Sequence, residues 1–174
     1  MKRLFENKLL EWKNSGMKKP LMVIGVRQIG KTYTIEKFGK ENFEEYLYFN
    51  LEKEEAIRNI FDRTIDDEKI FEELELYIGR KIDINKTLMF FDEVQTSENF
   101  IVSLKYFNES ERPYKIICAG SLLGVKVNRF KSSFPVGKVR MEYMYPMNFE
   151  EFLLATGKEM LRDKIIECYN RNNT

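Results

Sequence analysis

The 174-residue sequence contains no histidine. Within this sequence, the absence of histidine excludes nucleophilic catalysis by a Ser-His or Cys-His pair and any metal site built on imidazole nitrogens. Cysteine occurs only twice. Cys118 lies inside an apolar run, and Cys168 lies in a polar stretch near the end. Two cysteines so placed predict neither a disulfide framework nor a thiolate metal site.

Long apolar runs and an excess of one charge are also missing. No run approaches the ~18 apolar residues of a membrane helix, and the first residues lack the apolar core of a signal peptide. The 29 lysine and arginine residues nearly balance 28 acids, which leaves a net charge of +1. Affinity for nucleic acid or membrane must therefore come from a local patch. The sequence predicts a cytoplasmic protein that does not bind membranes.

A glycine-rich pattern, G-x-x-x-x-G-K-T, occupies residues 25–32. The apolar run before it, residues 21–24, has the length and β-branched content of a buried parallel strand, and the residues from Thr32 onward predict a helix that Gly39 closes. A strand, a glycine-rich loop and a helix in this order predict a P-loop, whose backbone N–H groups and helix dipole surround a phosphate. A chance match is the alternative, and the flanking elements make it the weaker one.

The P-loop residues have separate predicted roles. Lys31 can reach the β- and γ-phosphates of ATP as a point charge, and the Thr32 hydroxyl is placed to ligate Mg²⁺. The predicted nucleotide-binding residues are Gly25, Val26, Arg27, Gln28, Ile29, Gly30, Lys31, Thr32 and Tyr33.

Two acids, Asp92 and Glu93, follow a stretch of large apolar residues at 87–91. This predicts a Walker B strand, because ligands of parallel sheets gather outside the carboxyl ends of the strands. Asp92 is then a ligand of the magnesium ion, and Glu93 is the group that orients the attacking water or accepts its proton. An Asp-Glu pair that merely begins a helix is the alternative.

A further strand, predicted over residues 114–119, ends at Gly120 and Ser121. If this strand lies next to the P-loop strand, Ser121 can sense the γ-phosphate or hold the attacking water. A turn serine explains the same residue equally well, so the residues alone leave both interpretations open.

Charge is concentrated in two stretches. Residues 52–75 carry ten acids against four bases and predict a helical crossover, with Asp66 or Asp67 as N-cap and an acidic, solvated outer face. Residues 125–140 carry only basic charges, and these alternate with aromatic residues. Such a stretch can bind single-stranded nucleic acid, but an exposed loop near the active site is the favoured explanation. Its members are Lys126, Arg129, Phe130, Lys131, Phe134, Lys138 and Arg140.

Several segments together resemble one group of proteins. They are GVRQIGKT at 25–32, FDEVQ at 91–95, AGS at 119–121, SFPVGK at 133–138 and YPMNFEEF at 145–152. The sequence is similar to the prokaryotic AAA-type P-loop ATPases of the archaeal-ATPase-like group, in which a C-terminal domain of unknown function follows the nucleotide domain. The resemblance implies a three-layer α/β fold with a mainly parallel five-stranded sheet in the order 5-1-4-3-2, flanked by helices. It also implies ATP hydrolysis, with Ser121 as the sensor.

The length and the 43% hydrophobic content predict one domain over residues 1–174. Nothing here corresponds to the C-terminal domain of the resembled group, so we expect a nucleotide domain truncated from a longer protein. A catalytic arginine is worth about 10³–10⁵ in rate, and the spacing of Arg129 and Arg140 fixes neither on its own site. We therefore expect slow hydrolysis that accelerates when copies of the chain, or the missing region, assemble.

Three functions compete. An Mg-dependent ATPase is the leading one. The second is a nucleotide-dependent module that holds ATP and a DNA or protein partner with negligible turnover. A small-molecule kinase is disfavoured, because Glu93 directly after Asp92 suits the activation of water and no arginine-rich lid is evident. No residue pattern identifies what hydrolysis acts on.

Overall fold

The structure is a computed structural model, and it describes residues 3–121 and 134–172. Its strands join one parallel sheet in the order β2-β3-β4-β1-β5. This is the predicted order read from the other edge, so the predicted α/β fold is confirmed. The strands are β1 (Leu21–Ile24), β2 (Glu45–Asn50), β3 (Thr87–Asp92), β4 (Ile116–Gly120) and β5 (Arg140–Tyr143).

Helices cover both faces of the sheet. Successive strand residues point to opposite faces, so Met22 and Ile24 pack with the helices over 55–63, 67–78 and 98–109, whereas Leu21 and Val23 pack with those over 5–14 and 31–42. The result is three layers with a core on each side of the sheet. No described helix is long and apolar enough to cross a membrane. The helices are α1 (Phe5–Asn14), α2 (Lys31–Asn42), α3 (Glu55–Arg63), α4 (Asp67–Ile78), α5 (Glu98–Glu109), α6 (Phe149–Ala155) and α7 (Glu159–Asn172).

Gly39 does not end α2, contrary to the prediction, because the helix continues to Asn42. The glycine is needed for space instead. A Cβ at Gly39 would lie 2.3 Å from Cδ2 of Tyr46 and 3.2 Å from Cδ2 of Leu88. The absent side chain lets α2 approach β2 and β3 closely, which fixes the position of the helix that follows the P-loop.

The acidic crossover over residues 52–75 is helical as predicted, and it consists of two helices, α3 and α4. Asp66 caps α4, because its Oδ1 accepts a hydrogen bond from the Lys69 backbone N–H at 3.0 Å. The N-cap is thus the first of the two predicted aspartates. The two helices return the chain to the sheet beside β2, where β3 begins.

Candidate functional site

The candidate site lies at the carboxyl ends of three neighbouring strands. Strand β4 lies between β1 and β3, so the segments that follow these strands meet at one edge of the sheet. Gly25, Glu93 and Ser121 are the residues that directly follow them. The predicted neighbourhood of the Ser121 strand and the P-loop strand is therefore present, at the edge where parallel sheets bind their ligands.

The two P-loop glycines are required for different reasons. Gly30 has φ 90° and ψ 23°, the left-handed conformation, directly before α2. Gly25 has no positive φ, but a Cβ there would lie 2.4 Å from the Met144 carbonyl oxygen. Close approach of the chain after β5 thus explains Gly25. Gln28 is also left-handed, with φ 64°.

Lys31 extends back into the loop. Its Nζ donates hydrogen bonds to the carbonyl oxygens of Gly25 and Val26, both at 2.8 Å, and the residue is 8% exposed. Burial lowers the pKa of Lys31 and Arg27 adds to this effect, while Glu93 and Asp92 oppose it. The lysine is thus held inside the loop, where a phosphate would be a stronger partner than a carbonyl.

The two predicted metal ligands lie in direct contact. The Thr32 hydroxyl donates to Oδ2 of Asp92 at 2.7 Å, and the Asp92 Oδ1 accepts the Glu93 backbone N–H at 2.9 Å. Asp92 is 4% exposed. Among the described residues no group of three or more Asp, Glu, Cys or His could hold a metal ion alone. Two oxygen ligands fit Mg²⁺, which takes the rest from phosphates and water.

Glu93 is held by a residue that the sequence reasoning missed. The backbone of Glu93 has φ 53° and ψ 40°, an uncommon conformation outside glycine. Gln95 donates to the Glu93 carboxylate through Nε2 and to the Ser121 Oγ at 3.5 Å, and its Oε1 accepts the Ser121 backbone N–H at 3.3 Å. Gln95 therefore links the acid to the serine. Its one signal in the sequence is its position in the FDEVQ segment.

Arg3 is a second residue that the sequence reasoning missed. It is 4% exposed, and its Nη1 donates to the Ile29 carbonyl of the P-loop at 2.6 Å. Nη2 donates to the Tyr145 carbonyl at 2.8 Å, and Nε pairs with Glu151 at 3.0 Å. No local pattern marks Arg3, because these partners are 26, 142 and 148 residues away. Arg3 thus fixes the back of the P-loop.

The structure describes some of the remaining predicted residues and not others. Val26 and Tyr33 are 58% and 52% exposed. Lys138 pairs with Glu109 at 2.8 Å. Four residues of the predicted basic stretch, Lys126, Arg129, Phe130 and Lys131, lie outside the described residues.

Arg140, a candidate catalytic arginine, lies far from the P-loop. It pairs in register with Leu21, at the amino end of β1, whereas the P-loop follows Ile24. Three residues of strand separate these ends by roughly 10 Å, and the guanidinium is held by Glu142 at 2.9 Å. Arg140 therefore does not reach its own site.

Comparisons with known proteins bear on the family and the fold of the chain. A family model described as an AAA domain matches residues 17–153. The Walker-type ATPase PABY2304 of Pyrococcus abyssi superposes with a TM-score of 0.56 at 16% identity, over 97% of this chain and 62% of that chain. This likeness shows a shared fold, and the chain spans 62% of the length of that ATPase.

A second solved structure, the Pif1 helicase from Candida albicans, has a TM-score of 0.45 and 12% identity, over 87% of this chain and 41% of that chain. No curated protein matches the sequence significantly.

Proposed function

Since the chain belongs to the AAA domain family, we propose that it binds ATP with Mg²⁺ and hydrolyses it. The observation that carries the proposal is the 2.7 Å contact between Thr32 and Asp92, which are 60 residues apart in sequence. A P-loop hydroxyl and a strand-end carboxylate in contact supply both protein ligands that a magnesium ion between phosphates requires. A single nucleotide domain over residues 1–174 is part of this proposal, since the five strands join one sheet.

Binding depends on the P-loop and its lysine. The backbone N–H groups of residues 25–33 and the amino end of α2 receive the phosphates, and Lys31 neutralises the β- and γ-phosphate oxygens. Thr32 and Asp92 would hold Mg²⁺, which neutralises charge on the phosphate oxygens when bound. Arg3 maintains the shape of the loop through its hydrogen bond to the Ile29 carbonyl oxygen.

Hydrolysis depends on Glu93. The oxygen of a water molecule forms a bond to the γ-phosphorus while the bond from phosphorus to the β–γ bridging oxygen breaks, which gives ADP and phosphate. Glu93 orients the water and takes its proton. Gln95 sets the direction of the Glu93 carboxylate, and Ser121 completes this polar group at the end of β4.

Thermal unfolding with and without Mg-ATP tests binding. The wild-type protein should gain about 2.7 kcal/mol of stability at a hundredfold excess of ligand over Kd, whereas Lys31→Ala should gain none. Lys40→Ala is the matched control, because it removes an exposed lysine from the same helix. Equal stabilisation of Lys31→Ala and wild type by Mg-ATP contradicts the proposal. Phosphate release then separates an ATPase from the alternative, a module that holds ATP with negligible turnover.

A further inference from the structure

Arg27 differs from the other described arginines in what its guanidinium contacts. Within residues 3–121 and 134–172, it has neither a carboxylate nor a carbonyl partner, and its Nε meets only the Ser121 Oγ, at 3.4 Å. Arg58 donates to the carbonyl oxygens of Leu51 and Glu52. The remaining described arginines, Arg3, Arg63, Arg80, Arg112, Arg140, Arg162 and Arg171, each pair with a carboxylate.

The position of Arg27 in the P-loop indicates which partner its guanidinium would meet. It is the third residue of the P-loop, and its side chain extends toward the end of β4, the strand between the P-loop strand and the Asp92 strand. Lys31, the other cation of the P-loop, follows four residues later in the sequence. The loop therefore carries two cations close together in the sequence. Two cations in one loop, one of them without a carboxylate partner, favour a polyanion at that place.

We propose that Arg27 is the catalytic arginine of this site, supplied in cis by the P-loop itself. This inference rests on the proposed ATPase function. The planar guanidinium donates two parallel hydrogen bonds to γ-phosphoryl oxygens as that group flattens during transfer. Ser121 orients the Arg27 guanidinium as a positioning residue. The role that the sequence suggested for Arg129 or Arg140 passes to a residue whose place in the loop is fixed.

The test compares ground-state and transition-state binding. Wild type, Arg27→Ala and Arg27→Lys are titrated with Mg-ADP and with Mg-ADP plus aluminium fluoride, which mimics the flattened phosphoryl group, and ATP hydrolysis is measured under single-turnover conditions. We expect both variants to bind Mg-ADP within about threefold of wild type, to lose the tight aluminium fluoride complex, and to hydrolyse ATP about 10³-fold more slowly. Lysine should not rescue, because it lacks the planar fork. Arg63→Ala, which removes an exposed arginine from α3, should match wild type.

Several outcomes overturn the inference. One is an Arg27→Ala protein that forms the aluminium fluoride complex as tightly as wild type. Another is an equal loss of Mg-ADP binding and of aluminium fluoride binding, because Arg27 would then bind the nucleotide as strongly in the ground state as in the transition state. A mixture of the Arg27→Ala and Lys31→Ala proteins can recover turnover only if the arginine of one copy acts on the site of another copy. Recovered turnover in this mixture therefore also overturns the inference that Arg27 acts in cis. A wild-type protein that fails to bind Mg-ATP refutes the proposed function instead, before any Arg27 variant is compared.

Discussion

Arg3 and Glu151 form a buried ion pair across 148 residues of sequence, with 3.0 Å between Nε and Oε1. Their side chains are 4% and 7% exposed. The same guanidinium holds the Ile29 carbonyl, and Glu151 also belongs to the capping box that begins α6 with Asn148. One interaction thus joins the start of the chain, the P-loop and the last part of the domain.

Removing one partner of this pair should destabilise the whole domain. Glu151→Ala leaves the Arg3 charge buried and unpaired, which costs about 3–5 kcal/mol in the free energy of unfolding. Urea unfolding measures this cost. Lys8→Ala is the control. Lys8 forms an ion pair with Glu142 that joins α1 to β5, but the lysine side chain is 46% exposed. Its loss should therefore cost less than about 1 kcal/mol in the free energy of unfolding. Similar small costs for both variants contradict the expectation.

The same pair should make stability depend on pH. Burial alone raises the pKa of Glu151, but hydrogen bonds from Arg3, Leu4 and Asn148 outweigh it, so the folded pKa lies below the ordinary value of 4.5. The stabilisation is therefore complete above pH about 4.5 and is lost as the pH falls through the folded pKa. The difference in unfolding free energy between wild type and Glu151→Gln should shrink over that range. A difference that is constant from pH 7 to pH 3 argues against it.

The acids after β3 should separate hydrolysis from metal binding. Glu93→Gln keeps the size of the side chain but removes the proton acceptor, so Mg-ATP should still bind while hydrolysis falls by about 10²–10⁴-fold. Asp92→Asn should instead weaken the dependence of ATP binding on Mg²⁺. Calorimetry and phosphate release measure the two effects. Unchanged turnover in Glu93→Gln moves the water-orienting role to another residue.

Gly39→Ala should destabilise the protein although alanine is the better helix former. Alanine contributes about 1 kcal/mol in a helix interior, but its Cβ would overlap the ring of Tyr46, and overpacking costs about 1–3 kcal/mol. Thermal unfolding should show a net loss. The double variant Gly39→Ala/Tyr46→Leu should lose less than the sum of the two single variants. Strict additivity would show that the contact is unimportant.

Local patterns in the sequence determined the elements and the type of site. Strand β1 (Leu21–Ile24) has the predicted bounds, because a short run of apolar residues acts within a few residues. The glycine spacing of the P-loop and the acids after β3 are the features that the proposed phosphate and metal chemistry requires. Their meeting at one edge of the sheet follows once the strands are parallel.

Contacts between distant segments decided the rest. Gly25 and Gly39 are required by Met144 and Tyr46, which neighbouring strands bring against them. Arg3 is fixed by partners up to 148 residues away. Arg140 lies away from the site because β5 runs parallel to β1 and places this residue beside Leu21, at the amino end of β1. Local sequence patterns do not show which distant residues come into contact. Close packing of the folded chain alone determines which side chain has room and which charge finds a partner.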